Sequence, residues 1–307
     1  MGGGINMEVD KKLKEALLEK LSNFQESMLV YPIKKLSYEE LINNAMDFAY
    51  KFMGSDTSES FASLNQRKDS SILVGLPEDT KMRIFPNSNT MIIKRKMRPL
   101  EYLIKGNLDK KQLTDITINA MKKLELDKWK LSFEQVEFER LWQIKAGGIT
   151  MEKYVVPEVL CRIIGAFRRY INKIPVYGRA SIFLKIARES LVESVGIDWR
   201  QIEEKPIDDV KIIPPEISAE TIIKNLNSNS PNQIITTSNY IPEFFSLGYF
   251  SMPKKYEQDY MQPVYVAAFK SVGWTTLNRF ILIPATHNVY DSICRTPEAF
   301  IATDKGK

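Results

Sequence analysis

The sequence predicts an α+β protein made of repeated units, each a helix packed on a mostly antiparallel sheet. Three observations predict it. A helix-period apolar pattern precedes a run of strand-like segments three times along the chain. The connections between those strands are short turns, which join antiparallel neighbours and are too short for a parallel crossover. At 307 residues, 44% apolar and 26% charged, the chain can fill large cores and is long enough for two or three domains. The units are expected at residues 1–110, 111–212 and 213–307.

The first helix is expected from Val9 to Glu26, where Leu13, Leu17, Leu18, Leu21 and Phe24 form one apolar stripe. It either packs on the body or serves a partner. A second helix opens on the capping box Ser37-Tyr-Glu-Glu40, carries Leu41, Ala45, Phe48, Ala49 and Phe52, and stops at Gly54. The polar stretch from Ser55 to Ser71 reads as a loop. Strands follow at Lys81 to Phe85 and Met91 to Met97, around the turn Pro86-Asn-Ser-Asn89.

The second round starts with a helix capped by Thr114 or Asp115, whose Asn119-Ala-Met121 echoes Asn44-Ala-Met46. A linker and mixed segment run to about Pro157. Strands are then expected at Cys161 to Tyr170, Ile174 to Tyr177, Ser181 to Ala187 and Leu191 to Trp199. The third round follows the joint Ile213-Pro-Pro-Glu216, with a helix capped at Ser218 and carrying Ile222, Ile223 and Leu226. Its strands are expected at Ile234 to Ser238, Phe245 to Phe250, Pro263 to Phe269 and Asn278 to Pro284. Helix followed by antiparallel strands, three times, reads as an internal repeat.

The chemistry census excludes more than it suggests. There is one histidine, His287, and two cysteines, Cys161 and Cys294, so no ordinary structural zinc set can form. No HExxH, Walker, GxGxxG or GxSxG sequence occurs, and no EF-hand spacing. No metal or cofactor is expected. A site formed by His287, Asp291 and Cys294 is the alternative that would make the chain an enzyme. The carboxylate pairs Glu203-Glu204 and Asp208-Asp209 read as solvated loop. The tryptophans Trp129, Trp142, Trp199 and Trp274 read as core anchors, with a peptide or carbohydrate groove the other reading.

Net charge is +5, from 43 Lys and Arg against 38 Asp and Glu, which does not mark a nucleic-acid binder. The densest basic run, Lys94, Arg95, Lys96 and Arg98, reads as an edge strand whose charges deter sheet-to-sheet pairing, with an anion patch as the alternative. Cys161, in an apolar run, reads as a small buried hydrophobe. A disulfide with Cys294 is the other reading. No apolar run approaches the roughly 20 residues needed to span a bilayer. Met1 to Gly4 read as foreign to the native chain, a leader having been removed ahead of the first helix.

One phrase carries a resemblance. Arg168-Arg-Tyr-Ile-Asn-Lys-Ile-Pro-Val-Tyr-Gly178 is followed by Ser181-Ile-Phe-Leu-Lys-Ile186 and Leu191-Val-Glu-Ser-Val-Gly-Ile-Asp-Trp199. It resembles the PepSY and fungalysin/thermolysin-propeptide family. Leu247-Gly-Tyr249, Tyr260-Met-Gln-Pro-Val-Tyr-Val266 and Ile283-Pro-Ala285 resemble the closing strands of such a domain. Arg188-Glu-Ser190 departs from the Gly-containing turn of that pattern. The resemblance implies a cystatin-like α+β fold and an extracytoplasmic, non-enzymatic module that binds or restrains a protein or peptide partner, a protease among them. The expected contact is a sheet edge at Ile174, Pro175, Val176, Tyr177 and Gly178, because an exposed edge can take up an extended peptide. A structural or assembly protein of repeated units is the third reading.

The residues also speak for themselves. Pro175 fits only an edge or strand-start position. Gly178 supplies a positive φ or a close approach that redirects the chain.

Overall fold

The helices and strands follow the periodicities of the chain, but their assembly differs from three repeated units. The computed structural model describes residues 3–54, 63–67, 70–96, 104, 108–126, 134–149, 155–187, 190–228, 240–273, 277 and 279–291. In chain order these form α1 (Gly3–Leu18), β1 (Leu21–Ser22), β2 (Ser27–Pro32), α2 (Tyr38–Met53), β3 (Ser63–Gln66), β4 (Ile72–Leu76), β5 (Thr80–Phe85) and β6 (Thr90–Lys94). Then come α3 (Lys110–Lys123), β7 (Glu134–Ile149), β8 (Val155–Ile171), β9 (Ile174–Gly178), β10 (Ser181–Ile186), β11 (Val192–Ile197) and β12 (Asp208–Lys211). The last are α4 (Pro215–Ser228), β13 (Tyr240–Ser251), β14 (Tyr260–Met261), β15 (Pro263–Ser271) and β16 (Arg279–Pro284).

The fold class is therefore corrected. Strand outweighs helix, 48% against 24%, and thirteen strands belong to one mixed sheet instead of three helix-on-sheet units. Its order is β16-β15-β13-β9-β8-β10-β11-β6-β5-β4-β3, with β7 added on β8 and β1 on β13. A second sheet, β12-β2-β14, has its own ladder and packs on the first through Met28, Tyr31 and Met261, beside Tyr249 and Tyr265. The physical reason is long-range pairing. β13, from the last third of the chain, runs parallel to β9 and to β1 near the N-terminus. A repeat whose units bury their own edges would not do this.

Two cores flank this sheet. In one, Leu41, Phe48 and Phe52 of α2 with Leu113, Ala120 and Met121 of α3 meet Val74, Met82, Ile84, Ile93, Ile163, Leu184 and Val195. In the other, Leu13 and Leu17 of α1 with Ile222, Ile223 and Leu226 of α4 meet Phe245, Leu247, Tyr249, Tyr265 and Phe269. The alternation along β13 then turns Phe250 to the opposite face, where it joins Tyr177, Val264, Val266 and Leu282.

Local signals explain most boundaries. Ser37 caps α2 with both halves of the expected box, and Gly54 ends it at φ 70°. Asn89 closes the Pro86 turn in the left-handed region. Elsewhere the boundaries move. α1 ends at Leu18, and Leu21–Ser22 leaves the helical stripe to pair with Phe245 and Ser246. α3 starts earlier than its predicted cap, from a box formed by Asp109 and Gln112. α4 starts at Pro215, where the missing N–H costs nothing. The stretch read as loop holds β3, the linker holds the 16-residue β7, and Ile234 to Ser238 lies outside the described residues.

The basic run is corrected too. β6 is not an edge, since it pairs with β5 on one side and β11 on the other. Its charges are used locally: Arg95 donates to the Phe52 carbonyl at 3.1 Å and sits over the Phe52 ring, while Lys96 meets Asp79 at 2.8 Å. Arg98 lies outside the described residues.

Candidate functional site

β9 is interior, which corrects the expected edge. Ile174 and Pro175 pair with Ile171 and Tyr170 of β8, and Val176, Tyr177 and Gly178 pair with Tyr249, Phe250 and Ser251 of β13. Ile174, Val176 and Tyr177 are buried. No peptide can add to a strand whose two flanks are taken. β9 instead joins the two halves of the sheet.

The local chemistry shows why. The chain turns at Asn172 and Lys173, both at positive φ, crosses to β13, and is turned back at Gly178 with φ 81°. A Cβ on Gly178 would lie 2.2 Å from the Ser251 carbonyl oxygen, so the glycine serves both the turn and the close approach. Gly248 opposite is equally constrained, because a Cβ there would meet the Tyr177 ring at 2.5 Å. The Tyr177 hydroxyl donates to Ser246 Oγ at 2.7 Å, and burial pushes its pKa up.

Beyond Gly178 the joint becomes densely charged. Arg179 donates its backbone N–H to the Ser251 carbonyl at 2.9 Å, and its Nη1 stands 3.6 Å from Asp198 Oδ2. Asp198 is buried at the end of β11, beside Thr90. Burial pushes its carboxyl above the usual range, against the opposing pull of Arg179 and Lys254. Arg200, two residues on, is 2% exposed and donates to five acceptors: Gln258 Oε1 and the carbonyls of Asn87, Met252, Pro253 and Tyr256. Burial lowers its pKa to about 10, still charged at neutral pH. Arg169 is fully buried with its guanidinium 4.6 Å over the Trp199 ring. Lys254 is half-buried, 4.3 Å over the Phe85 ring, and burial lowers its pKa. Arg179, Lys254 and Arg200 thus act on Asp198 where the two sheet halves meet, while Arg169 and a second carboxylate, Asp291, act on Arg200. A separate ion-pair group lies further along the sheet: Arg162 grips Glu193 bidentately at 2.8 and 3.0 Å, with Lys185 3.9 Å from the same carboxylate.

Free edges among the described residues lie elsewhere: β16 and β3 end the strand order, and β7 forms a further, longer edge. β7 pairs with β8 along its length and with no other strand among the described residues. Register shifts between Phe138 and Arg140, and again between Ile144 and Lys145, bracket an unbroken stretch of Arg140, Leu141, Trp142, Gln143 and Ile144. Ile144 is exposed, Leu141 and Trp142 are part-buried, and Arg140 sits 5.3 Å over the Trp142 ring. On β8, Val155 and Val159 are also exposed.

The remaining candidates scatter. His287 is exposed after β16. Asp291 Oδ2 accepts the backbone N–H groups of Asp259 at 2.6 Å and Tyr260 at 3.2 Å, and Cys294 lies outside the described residues. Among the described residues no group of three His, Cys, Asp or Glu is placed to hold a metal ion. Glu203, Glu204, Asp208 and Asp209 are exposed, and Asp208 accepts from the Tyr290 hydroxyl. Cys161 is a buried thiol and Trp199 is core; Trp129 and Trp274 lie outside the described residues. A cavity of about 260 Å³ between α2 and Gln201 is crossed by its own Lys34–Glu40 ion pair, 3.2 Å.

The sequence pointed at the phrase that builds the joint but missed its charges. Asp198 lies within the quoted phrase and Arg179 and Arg200 adjoin it, yet only folding brings Lys254 and Ser251 beside them. β7 carried no signal, because its Gly147-Gly148 and its mixture of charged and apolar residues read as linker.

No family model matches the chain, and no curated protein matches it. Among solved structures its fold is similar to that of an uncharacterized protein from Eubacterium rectale, with a TM-score of 0.52 and 9% identity. The match covers 94% of this chain and 99% of that one. At that identity the likeness is one of fold.

Proposed function

We propose that the chain is a binding module rather than an enzyme, and that it engages an extended protein or peptide partner along the edge of β7. The observation that carries this reading is the bracketed stretch from Arg140 to Ile144, paired on one side only among the described residues and bearing Trp142 and Ile144. Edge strands recruit added strands through their unpaired N–H and C=O groups, while side-chain pockets set preference. The extra residue Glu139 interrupts β7 itself, so a regular added strand begins at Arg140, while the later shift places its extra residue, Cys161, on β8. The resemblance of residues 168–199 to PepSY-like domains supports a partner in the cell envelope, such as a protease.

Extended peptides selected from a displayed library against the whole protein, then measured singly, test the reading. Combining Trp142→Ala with Ile144→Lys is expected to weaken them about tenfold or more, since aromatic anchors dominate such contacts. Thermal unfolding should shift little, because neither side chain is fully buried. Undiminished affinity in that double variant would sink the edge reading.

A further inference from the structure

We infer that the joint between the sheet halves is an anion-binding site for a phosphate-type oxyanion, free or carried on a larger ligand, held by Arg179 and Lys254 beside Ser251. β7 contributes nothing to it, so it stands independently of the edge reading.

The argument is one of charge balance and unused donors. Arg169, Arg179, Arg200 and Lys254 share a neighbourhood with two acids, the buried Asp198 and the part-buried Asp291 that acts on Arg200. Buried cations destabilise the fold unless anions or hydrogen bonds compensate them. Arg200 is compensated by its five acceptors and Arg169 rests on Trp199, and both are built into the body.

Arg179 and Lys254 differ. A guanidinium offers five donors, yet Arg179 reaches Asp198 only at 3.6 Å, longer than the roughly 2.7–2.9 Å of a charge-assisted hydrogen bond. Its Nε is buried without a hydrogen-bond partner. Lys254 makes no ion pair among the described residues and leans on the Phe85 ring. Ser251 Oγ, fully buried and without a hydrogen-bond partner, belongs to the residue whose carbonyl holds the Arg179 backbone.

Arg179 and Lys254 are also the cations of the group that keep solvent access, with 30% of the Arg179 side chain exposed and Lys254 half-buried. An oxyanion arriving from solvent would accept from the guanidinium and the ammonium together. Asp198, 3.6 Å from Arg179 Nη1 and buried, draws on that guanidinium and repels an anion from its own position. The geometry suits a group with several acceptor oxygens and net negative charge, and a neutral ligand would leave the surplus charge standing.

The test uses the full chain with inorganic phosphate as the probe, read by thermal unfolding and by titration calorimetry, against sodium chloride at matched ionic strength. Phosphate is expected to raise Tm saturably and to bind with a calorimetric signal, where chloride does neither. Arg179→Gln and Lys254→Met should each abolish the phosphate shift while unfolding cooperatively, and the calorimetric titration of each should fall flat. An equal response to chloride, or a saturable phosphate response that survives in both variants, would overturn the site.

Discussion

The two halves of the main sheet are covered alike but assembled differently. Each has two helices on one face, α2 and α3 on one half, α1 and α4 on the other. In the first half, β3, β4, β5 and β6 form a meander of consecutive antiparallel neighbours, closed by β11 and β10. In the second half, β13 accepts β15 on one edge, and β1 and β9 in parallel on the other. The α1–α4 pair is likewise drawn from opposite ends of the chain, where Lys14 meets Glu220. Local loops close cheaply, whereas the second half must bring segments more than 200 residues apart into register before their contacts stabilise anything. The joint must therefore hold what the sequence does not hold locally, and Arg200 is its fastening. It ties Asn87, on the meander, to the loop from Met252 to Gln258.

Arg200→Met should break the comparison most severely. It keeps volume but strips donors from four backbone carbonyls and from Gln258, all at a buried site. A loss of about 4 kcal/mol is expected, because buried acceptors left without donors keep their desolvation cost. Urea unfolding followed separately through each half should then lose coincidence, the second half melting first. A loss below about 1 kcal/mol, with the halves still melting together, would show that Arg200 does not fasten them.

Asp198→Asn gives a smaller effect that depends on pH. The carboxyl is pushed up in the folded protein, so between its ordinary pKa and the raised folded value the folded state binds more protons than the unfolded one. The stability contributed by the protonated acid is present below the ordinary pKa and is lost as pH rises through the folded value. The stability of the original protein minus that of Asp198→Asn should fall across this window and level off above it. A difference that rises with pH would mean that Arg179 and Lys254 outweigh burial.

Ser37→Ala has the smallest expected effect and sharpens the contrast. It removes one cap in the locally built half and should cost about 1 kcal/mol in chemical denaturation, without separating the melting of the two halves.

Half of the meander, β5 and β6 with their turn, was legible because its signals are short-range, whereas β3 was read as loop and β4 was not read as a strand. The capping box at Ser37, the turn at Pro86 to Asn89 and the strands at Ser181 and Leu191 each follow from neighbouring residues. Gly178 was legible as a redirecting residue for the same reason, since its φ is a local property. Its strand was misjudged. Pro175 suggested an edge, but a proline without its N–H is tolerated at a strand start, and Pro175 is the second residue of β9, paired with Tyr170. The long edge among the described residues is β7, whose composition resembles a linker. Of the anion site, Arg179 lay next to the quoted phrase, while Lys254 and Ser251 lie more than 70 residues away in sequence.

By itself the sequence determined periodicity, caps, turns and the apolar faces, because those depend on residues within a few positions of one another. It also determined the census that leaves one histidine in the chain. Only the tertiary structure decided which strands neighbour which, and hence which edge is free and where Arg179, Asp198, Arg200 and Lys254 converge. Strand pairing is specified by burial and register across distant segments, and neither is written in any one stretch of the chain.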